Sequence, residues 1–223
     1  HELRTPLTVF KGYIETLLSK DDEHLEIWRK ALEEMNRQAE RMTRLVEELL
    51  LLSRLESENT VRNSKAIEPS QLINQAHRKA VQLNQSESPL ISLELDDTLR
   101  IYGSEEELYI VFSNIIMNAV RYTNARNGVI LIKWERSPEG KLEFKVKDNG
   151  IGIAAEHLSR VTERFYRVDD SRERAVDDKF SSTGLGLALV KHIVQKHGGK
   201  LEIESELGKG STFKVAFPEN RHL

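Results

Sequence analysis

The chain has 223 residues, room for one large domain or two small ones. Its 33 Lys and Arg against 36 Asp and Glu leave a net charge of −3, which lacks the basic excess of a nucleic-acid binder, so no direct nucleic-acid partner is expected. The absence of cysteine excludes disulfides, thiolate metal sites and cysteine nucleophiles. No apolar run approaches the ~18 residues of a membrane span, no signal-peptide pattern is present, and the chain reads as cytoplasmic. It starts at His1 inside a helical pattern, which points to a longer parent protein.

Residues 1–57 contain one proline, Pro6, and one glycine, Gly12, whereas the other glycines all lie beyond residue 100. Leu3, Leu7, Phe10, Ile14 and Leu17 recur at alternating steps of four and three. After a polar turn near 19–23, a second stripe runs through Leu25, Trp28, Leu32, Met35, Ala39, Met42, Val46 and Leu49 with the same steps. Both are heptad patterns, the seams of coiled coils and four-helix bundles. Two helices cannot shield such seams, so a symmetric homodimer forming a four-helix bundle is expected; a hairpin packed on the rest of the chain is the alternative.

Residues 58–66 are polar and without period, a linker. Beyond them helices and strands alternate. A helix is predicted over about 70–83 and a strand over 89–95. Ser104, followed by Glu105, Glu106 and Glu107, caps a helix reaching Tyr122. Strands follow at 129–135 and 142–147, joined by a turn at 137–140. A helix opens after Gly184 and ends at Gly198 and Gly199, and strands at 200–205 and 211–217 close the chain. The fold class is therefore α+β in two domains: a helical hairpin over 1–57, the linker 58–66, and over 67–223 a mixed sheet with helices on one face.

Four places carry candidate chemistry. Asp148-Asn149-Gly150-Ile151-Gly152 follows a strand; the glycines let backbone approach a ligand, and the carboxylate can accept from an exocyclic amine, although a plain turn explains the pattern equally well. Thr183-Gly184-Leu185-Gly186-Leu187 opens a helix, whose free N–H groups and dipole attract phosphate. Gly208 and Gly210, taken alone, read as a hairpin turn. Asn114 and Asn118 lie one turn apart on one helix face, followed by Arg121 and Tyr122. Asn carbonyls together with phosphates suit Mg²⁺, Arg121 can touch phosphate, and Tyr122 can meet an adenine face. His1 is a nucleophile toward phosphorus when its other ring N–H has an acceptor, which Glu2 supplies. Thr5 stacks one turn from His1, and Pro6 loosens the helix there because it cannot donate to the Glu2 carbonyl. The other six histidines lack metal-ligand spacing, and His192 and His197 read as surface or packing residues.

In the order His-Glu-x-Arg-Thr-Pro, Asn-x-x-x-Asn-Ala-x-Arg-Tyr-Thr, Asp-x-Gly-x-Gly, Arg-Phe-Tyr-Arg, Gly-Leu-Gly-Leu and Gly-x-Gly, these blocks resemble the sensor histidine kinases of two-component systems over essentially the whole chain. The resemblance implies a dimerisation and phosphoacceptor domain followed by a catalytic α/β sandwich with the ATPase fold shared by gyrase, Hsp90 and MutL. It implies ATP and Mg²⁺ as cofactors, and a response-regulator receiver domain as partner. By motif, His1 is the phosphoacceptor, Glu2 its base, and Thr5 positions the hydrolytic water in dephosphorylation of the partner. Asn118 with Asn114 forms the Mg²⁺ site. Arg121 contacts phosphate, and Tyr122 and Asp148 contact the adenine. Gly150, Gly152, Thr183, Gly184, Leu185, Gly186, Leu187 and Thr212 shape the nucleotide pocket. Phe165, Tyr166 and Arg167 lead into a lid over 167–182, where Ser182 replaces the usual first glycine. Residues 1–18 and 158–169 most resemble the phosphate-regulon branch of the family. That branch implies phosphate-starvation signalling and membrane-spanning segments upstream, which would make this the cytoplasmic portion of a bacterial inner-membrane protein. Two other functions compete: a dimeric scaffold with a degenerate nucleotide pocket, and a serine kinase or ATPase of the same fold.

Overall fold

The computed structural model describes residues 4–18, 25–57, 61, 64–83, 89–168 and 183–218. His1, Glu2, the turn near 19–23, parts of the 58–66 stretch and residues 169–182 of the expected 167–182 lid lie outside the described residues. The chain divides into two compact units, His1–Leu51 and Leu52–Leu223.

In the first unit, helix α1 spans Arg4–Leu18, and α2 begins here and spans Leu25–Ser57. Along α2, Ala31, Gln38, Leu45 and Leu52 are buried at heptad spacing. The stripe singled out in the sequence lies beside that line and is only partly covered: Leu32 is 55% and Val46 44% exposed, while Trp28, Met35, Met42 and Leu49 are half-buried. Leu7 and Phe10 of α1, with Ala39, Met42 and Val46 of α2, line an apolar groove. A single copy therefore leaves much of its heptad seam uncovered, a large cost in water at ~25 cal/mol per Å² of apolar surface.

The second unit is built on a five-stranded sheet in the order β2-β4-β5-β7-β6. These strands are β2 (Leu90–Leu95), β4 (Val129–Arg136), β5 (Leu142–Asp148), β6 (Lys200–Glu206) and β7 (Gly210–Phe217). Strand β2 runs parallel to β4, and the other neighbours are antiparallel. A separate two-stranded ribbon pairs β1 (Lys65–Ile67) with β3 (Ile101–Gly103). Part of the stretch expected as linker thus enters a strand; three residues are too short for alternation to show.

Helices α3 (Pro69–Leu83), α4 (Glu105–Tyr122) and α6 (Gly186–Lys196) complete the unit. Alternation sets which side of the sheet is dry. Ile130, Ile132, Trp134, Phe144, Val146, Phe213, Val215 and Phe217 are buried together with Phe112, Ile115 and Ile116 of α4. Phe112 meets Phe144 and Trp134 edge to face at 4.8 and 6.5 Å. The intervening positions carry charge: Lys133 pairs with Glu94 at 2.5 Å, and Lys214 with Glu143 at 3.1 Å.

Helix α4 begins as its sequence predicts. The Ser104 hydroxyl accepts the Glu107 N–H at 3.4 Å, and three acidic residues occupy the positive end of the helix dipole. Lys196, in the last turn of α6, holds Glu107 at 2.8 Å. His197 donates from Nδ1 to the Ile193 carbonyl and accepts the Ser104 N–H on Nε2, which ties the start of α4 to the end of α6.

Candidate nucleotide site

The site is assembled around the C-terminal end of β5. Asp148 is the last residue of that strand and is only 7% exposed. Its Oδ1 accepts the Gly150 N–H at 2.8 Å and the Ser211 N–H at 3.2 Å. Burial pushes its carboxyl above the usual carboxylate range, and the two amide bonds pull the other way.

The loop after Asp148 is wedged between two elements. Ile151 donates its N–H to the Tyr122 carbonyl at 3.1 Å, closing the loop on the end of α4. Gly152 sits at φ +67°, and a Cβ there would stand 2.0 Å from the Glu206 carbonyl oxygen, so both conformation and space demand glycine. Asn149 serves this frame: its Oδ1 accepts the Val129 N–H at 2.7 Å, and its Nδ2 donates to the Asn127 carbonyl at 3.2 Å.

Helix α4 brings Asn114, Asn118, Arg121 and Tyr122 to the same region. Asn114 donates from Nδ2 to the Ile110 carbonyl at 2.8 Å, and its Oδ1 faces the start of α6. A Cβ at Gly186 would lie 2.4 Å from that oxygen, so the helix opens on glycine to let Asn114 in. Asn118 is half-buried and makes no side-chain hydrogen bond within the described residues. Tyr122 is 45% exposed, with the Arg121 guanidinium 5.7 Å from its ring centre.

Across the site, Thr183 is buried and its hydroxyl accepts the Leu185 N–H at 3.3 Å. Leu185 is fully buried, and Leu187 is half-buried in the first turn of α6. That turn has no side-chain cap, so its amides remain available to an anion. Phe165 adopts φ +62°, unusual for a residue with a side chain, and donates its N–H to the Gly184 carbonyl at 2.9 Å. Tyr166 is held to the short helix α5 (Ala155–Leu158) by a 2.6 Å hydrogen bond between its hydroxyl and His157 Nδ1, with Arg160 4.3 Å above its ring centre. Arg167 follows and is exposed.

Asn114, Asn118, Tyr122, Asp148, Gly150, Gly152 and the 183–187 turn thus gather at one end of the sheet. Thr212 does not join them. It pairs in register with Lys147, on the charged side, and the β7 residue that meets Asp148 is Ser211. The parity of Phe213, Val215 and Phe217 was the available signal: Ser211 shares their face and Thr212 does not. Ser211, Ser205 and His157 were not singled out in the sequence, and Asn149 was named only as a member of its motif, without a role. Thr5 falls in α1, whose backbone is described there without its side chain.

Among the described residues, no cluster of three or more His, Cys, Asp or Glu could hold a metal ion. An Mg²⁺ ion beside α4 would meet the neutral amide oxygens of Asn114 and Asn118. The free, half-buried Asn118 amide fits such an ion when phosphates supply the remaining charge.

Two family models match this chain. Residues 1–58 match the His Kinase A (phospho-acceptor) domain, and residues 103–221 match the histidine kinase-, DNA gyrase B- and HSP90-like ATPase. The chain belongs to the histidine kinases. Among its relatives, this histidine kinase is 43% identical to the phosphate regulon sensor protein PhoR of Pseudomonas aeruginosa, over 97% of this chain and 48% of that protein. It is 35% identical to the protein of the same name from Haemophilus influenzae, over 98% of this chain and 49% of the other. The chain spans about half the length of these curated relatives. The solved structure of the Acinetobacter baumannii histidine kinase AdeS superposes with a TM-score of 0.73 at 25% identity, covering 99% of this chain and 98% of that one.

Proposed function

We propose that this histidine kinase phosphorylates its own His1 from ATP and passes the phosphoryl group to an aspartate of a response-regulator receiver domain. The observation that carries the nucleotide reading is Asp148: a buried carboxylate with one oxygen fixed by two amides, beside a helix start with free N–H groups. Asp148 accepts the exocyclic amine of adenine, Tyr122 flanks the base, and the first turn of α6 with Arg121 binds phosphate. Mg²⁺, held by Asn118 with Asn114, supplies charge neutralisation on the phosphates when bound. Glu2 accepts one ring N–H of His1 and leaves the other nitrogen as nucleophile. That nitrogen attacks the γ-phosphorus, the bond to the β,γ-bridging oxygen breaks, and ADP leaves; positioning supplies most of the catalysis.

The domain limits we propose are 1–57 for dimerisation and phosphotransfer and 67–223 for catalysis, joined by 58–66, whose last two residues, Lys65 and Ala66, already pair in β1. The open line through Leu32 and Val46 supports a homodimer, with each copy covering the other's seam. The likeness to phosphate regulon sensors supports a role in phosphate-starvation signalling, as the cytoplasmic portion of an inner-membrane protein. No described helix is itself long and apolar enough to cross a membrane.

The same chain also dephosphorylates the regulator, with Thr5 orienting the attacking water. Two variants assayed with purified regulator test this division of labour. Thr5→Ala keeps autophosphorylation within a few fold and slows dephosphorylation about tenfold or more, equivalent to ~1.4 kcal/mol of barrier. Glu2→Ala does the reverse. Equal loss of both activities in Thr5→Ala overturns the role given to Thr5.

A further inference from the structure

Behind Asp148 lies a hydroxyl pair that the nucleotide reading does not use. Ser205 and Ser211 face each other in register across β6 and β7, with their Oγ atoms 2.9 Å apart. Ser205 Oγ donates to the Gly210 carbonyl at 2.9 Å and accepts the Ile153 N–H at 2.7 Å. A hydroxyl has one hydrogen and two lone pairs. The Gly210 carbonyl can only accept, so it takes the Ser205 hydrogen. The Ser205–Ser211 bond must then run from the Ser211 hydroxyl to Ser205. Ser205 is thereby saturated: it makes one bond as donor and two as acceptor, and ties three segments together. These are the loop after Asp148, the end of β6 and the start of β7.

The direction of that bond matters because of where Ser211 stands. Its backbone N–H donates to Asp148 Oδ1 at 3.2 Å, which sets a strong acceptor on β5 beside Ser211 on the neighbouring strand β7. Without Ser205 Oγ, that hydroxyl turns to the carboxylate, since a bond to an ionised oxygen is about twice as strong as one between neutral groups. A carboxylate that accepts a third internal hydrogen has less to offer a ligand's amine.

We propose that Ser205 is a positioning residue for base recognition, drawing the Ser211 hydroxyl hydrogen away so that Asp148 stays free for the exocyclic amine of a 6-aminopurine nucleotide. The proposal rests on the reading that Asp148 meets the base. It makes Ser205 a determinant of which purine is bound, through a residue two strands away in the sheet order β5-β7-β6.

The test compares ATP with purine riboside 5′-triphosphate, which carries hydrogen in place of the amine, in competition binding to the full chain. Wild type and Ser205→Thr, which keeps the hydroxyl, prefer ATP. Ser205→Ala loses about tenfold of that preference while its affinity for purine riboside triphosphate holds. Adding Ser211→Ala to Ser205→Ala restores the preference, because no hydroxyl remains to compete for the carboxylate. Ser205→Cys, of similar size and weak as an acceptor, carries the same test if the alanine variant does not fold. Unchanged preference in Ser205→Ala, or equal weakening of both nucleotides, overturns the proposal. Asp148→Asn separates the two levels. If it keeps the ATP preference, the base-site reading falls and the proposal with it; if it loses the preference while Ser205→Ala keeps it, only the role of Ser205 falls.

Discussion

Gly186 is the point at which the two helices of the nucleotide site meet, and Gly186→Ala tests whether that approach matters. The added Cβ stands 2.4 Å from Asn114 Oδ1, whereas carbon and oxygen in close non-bonded contact sit roughly 3.3 Å apart. Close to 1 Å of movement is required. The Asn114 side chain cannot give way freely, because its Nδ2 is bonded to the Ile110 carbonyl at 2.8 Å. Overpacking of this kind costs ~1–3 kcal/mol, and alanine's better helix propensity returns at most ~1 kcal/mol of it. In a chain of this size each kcal/mol lowers Tm by about 2–4 °C. Displacing Asn114 also moves an oxygen assigned to Mg²⁺ and the helix start assigned to phosphate, so ATP affinity falls about tenfold or more. Calorimetry of nucleotide binding and urea melts read the two effects. Because the clash is with one side chain, the double variant Asn114→Ala, Gly186→Ala regains most of the stability lost in Gly186→Ala alone. Unchanged ATP affinity in Gly186→Ala, or no recovery in the double variant, refutes the reasoning.

Two further outcomes follow from burial and charge. Val46→Asp places a carboxylate on the open heptad line, and light scattering is expected to give the monomer mass while residues 67–223 still bind ATP; an unchanged dimer mass contradicts the seam. Asp148 titrates above the usual carboxylate range because it is buried, so the native state holds its proton more tightly than the unfolded chain does. The stability this adds is present below the unfolded pKa and is lost as pH rises through the raised native value. Asp148→Asn, which can keep both amide bonds, is therefore at least as stable as wild type at neutral pH in urea melts, and its relative advantage shrinks toward ~pH 4. A variant whose stability relative to wild type is markedly lower at neutral pH than at acid pH opposes that sign.

Long periodic elements were legible in the sequence and short ones were not. The Ser104 cap and the apolar spacing behind it define α4 to the residue at both ends, and alternation finds β4, β5, β6 and β7. The β1–β3 ribbon and α5 escaped because three or four residues show no period. In the site, the glycines and Asp148 announce themselves as motifs. Ser211 was displaced by one position to Thr212, since the Gly208-x-Gly210 motif says where the turn is but not which residue of the next strand faces inward; only the parity of Phe213 and Val215 decides that. The roles of Asn149 and Ser205 were invisible for a different reason. Their work is hydrogen bonding to backbone atoms distant in sequence, Val129 for one and Ile153 for the other, and no local pattern records such bonds.

The central claim is that the nucleotide site feeds His1, and incubation of the full chain with ATP labelled at the γ-phosphate tests it most directly. The account predicts protein-bound label that is acid-labile and base-stable, as a phosphohistidine is, absent from both His1→Gln and Asn118→Ala. An acid-stable label, or full labelling of His1→Gln, would contradict it.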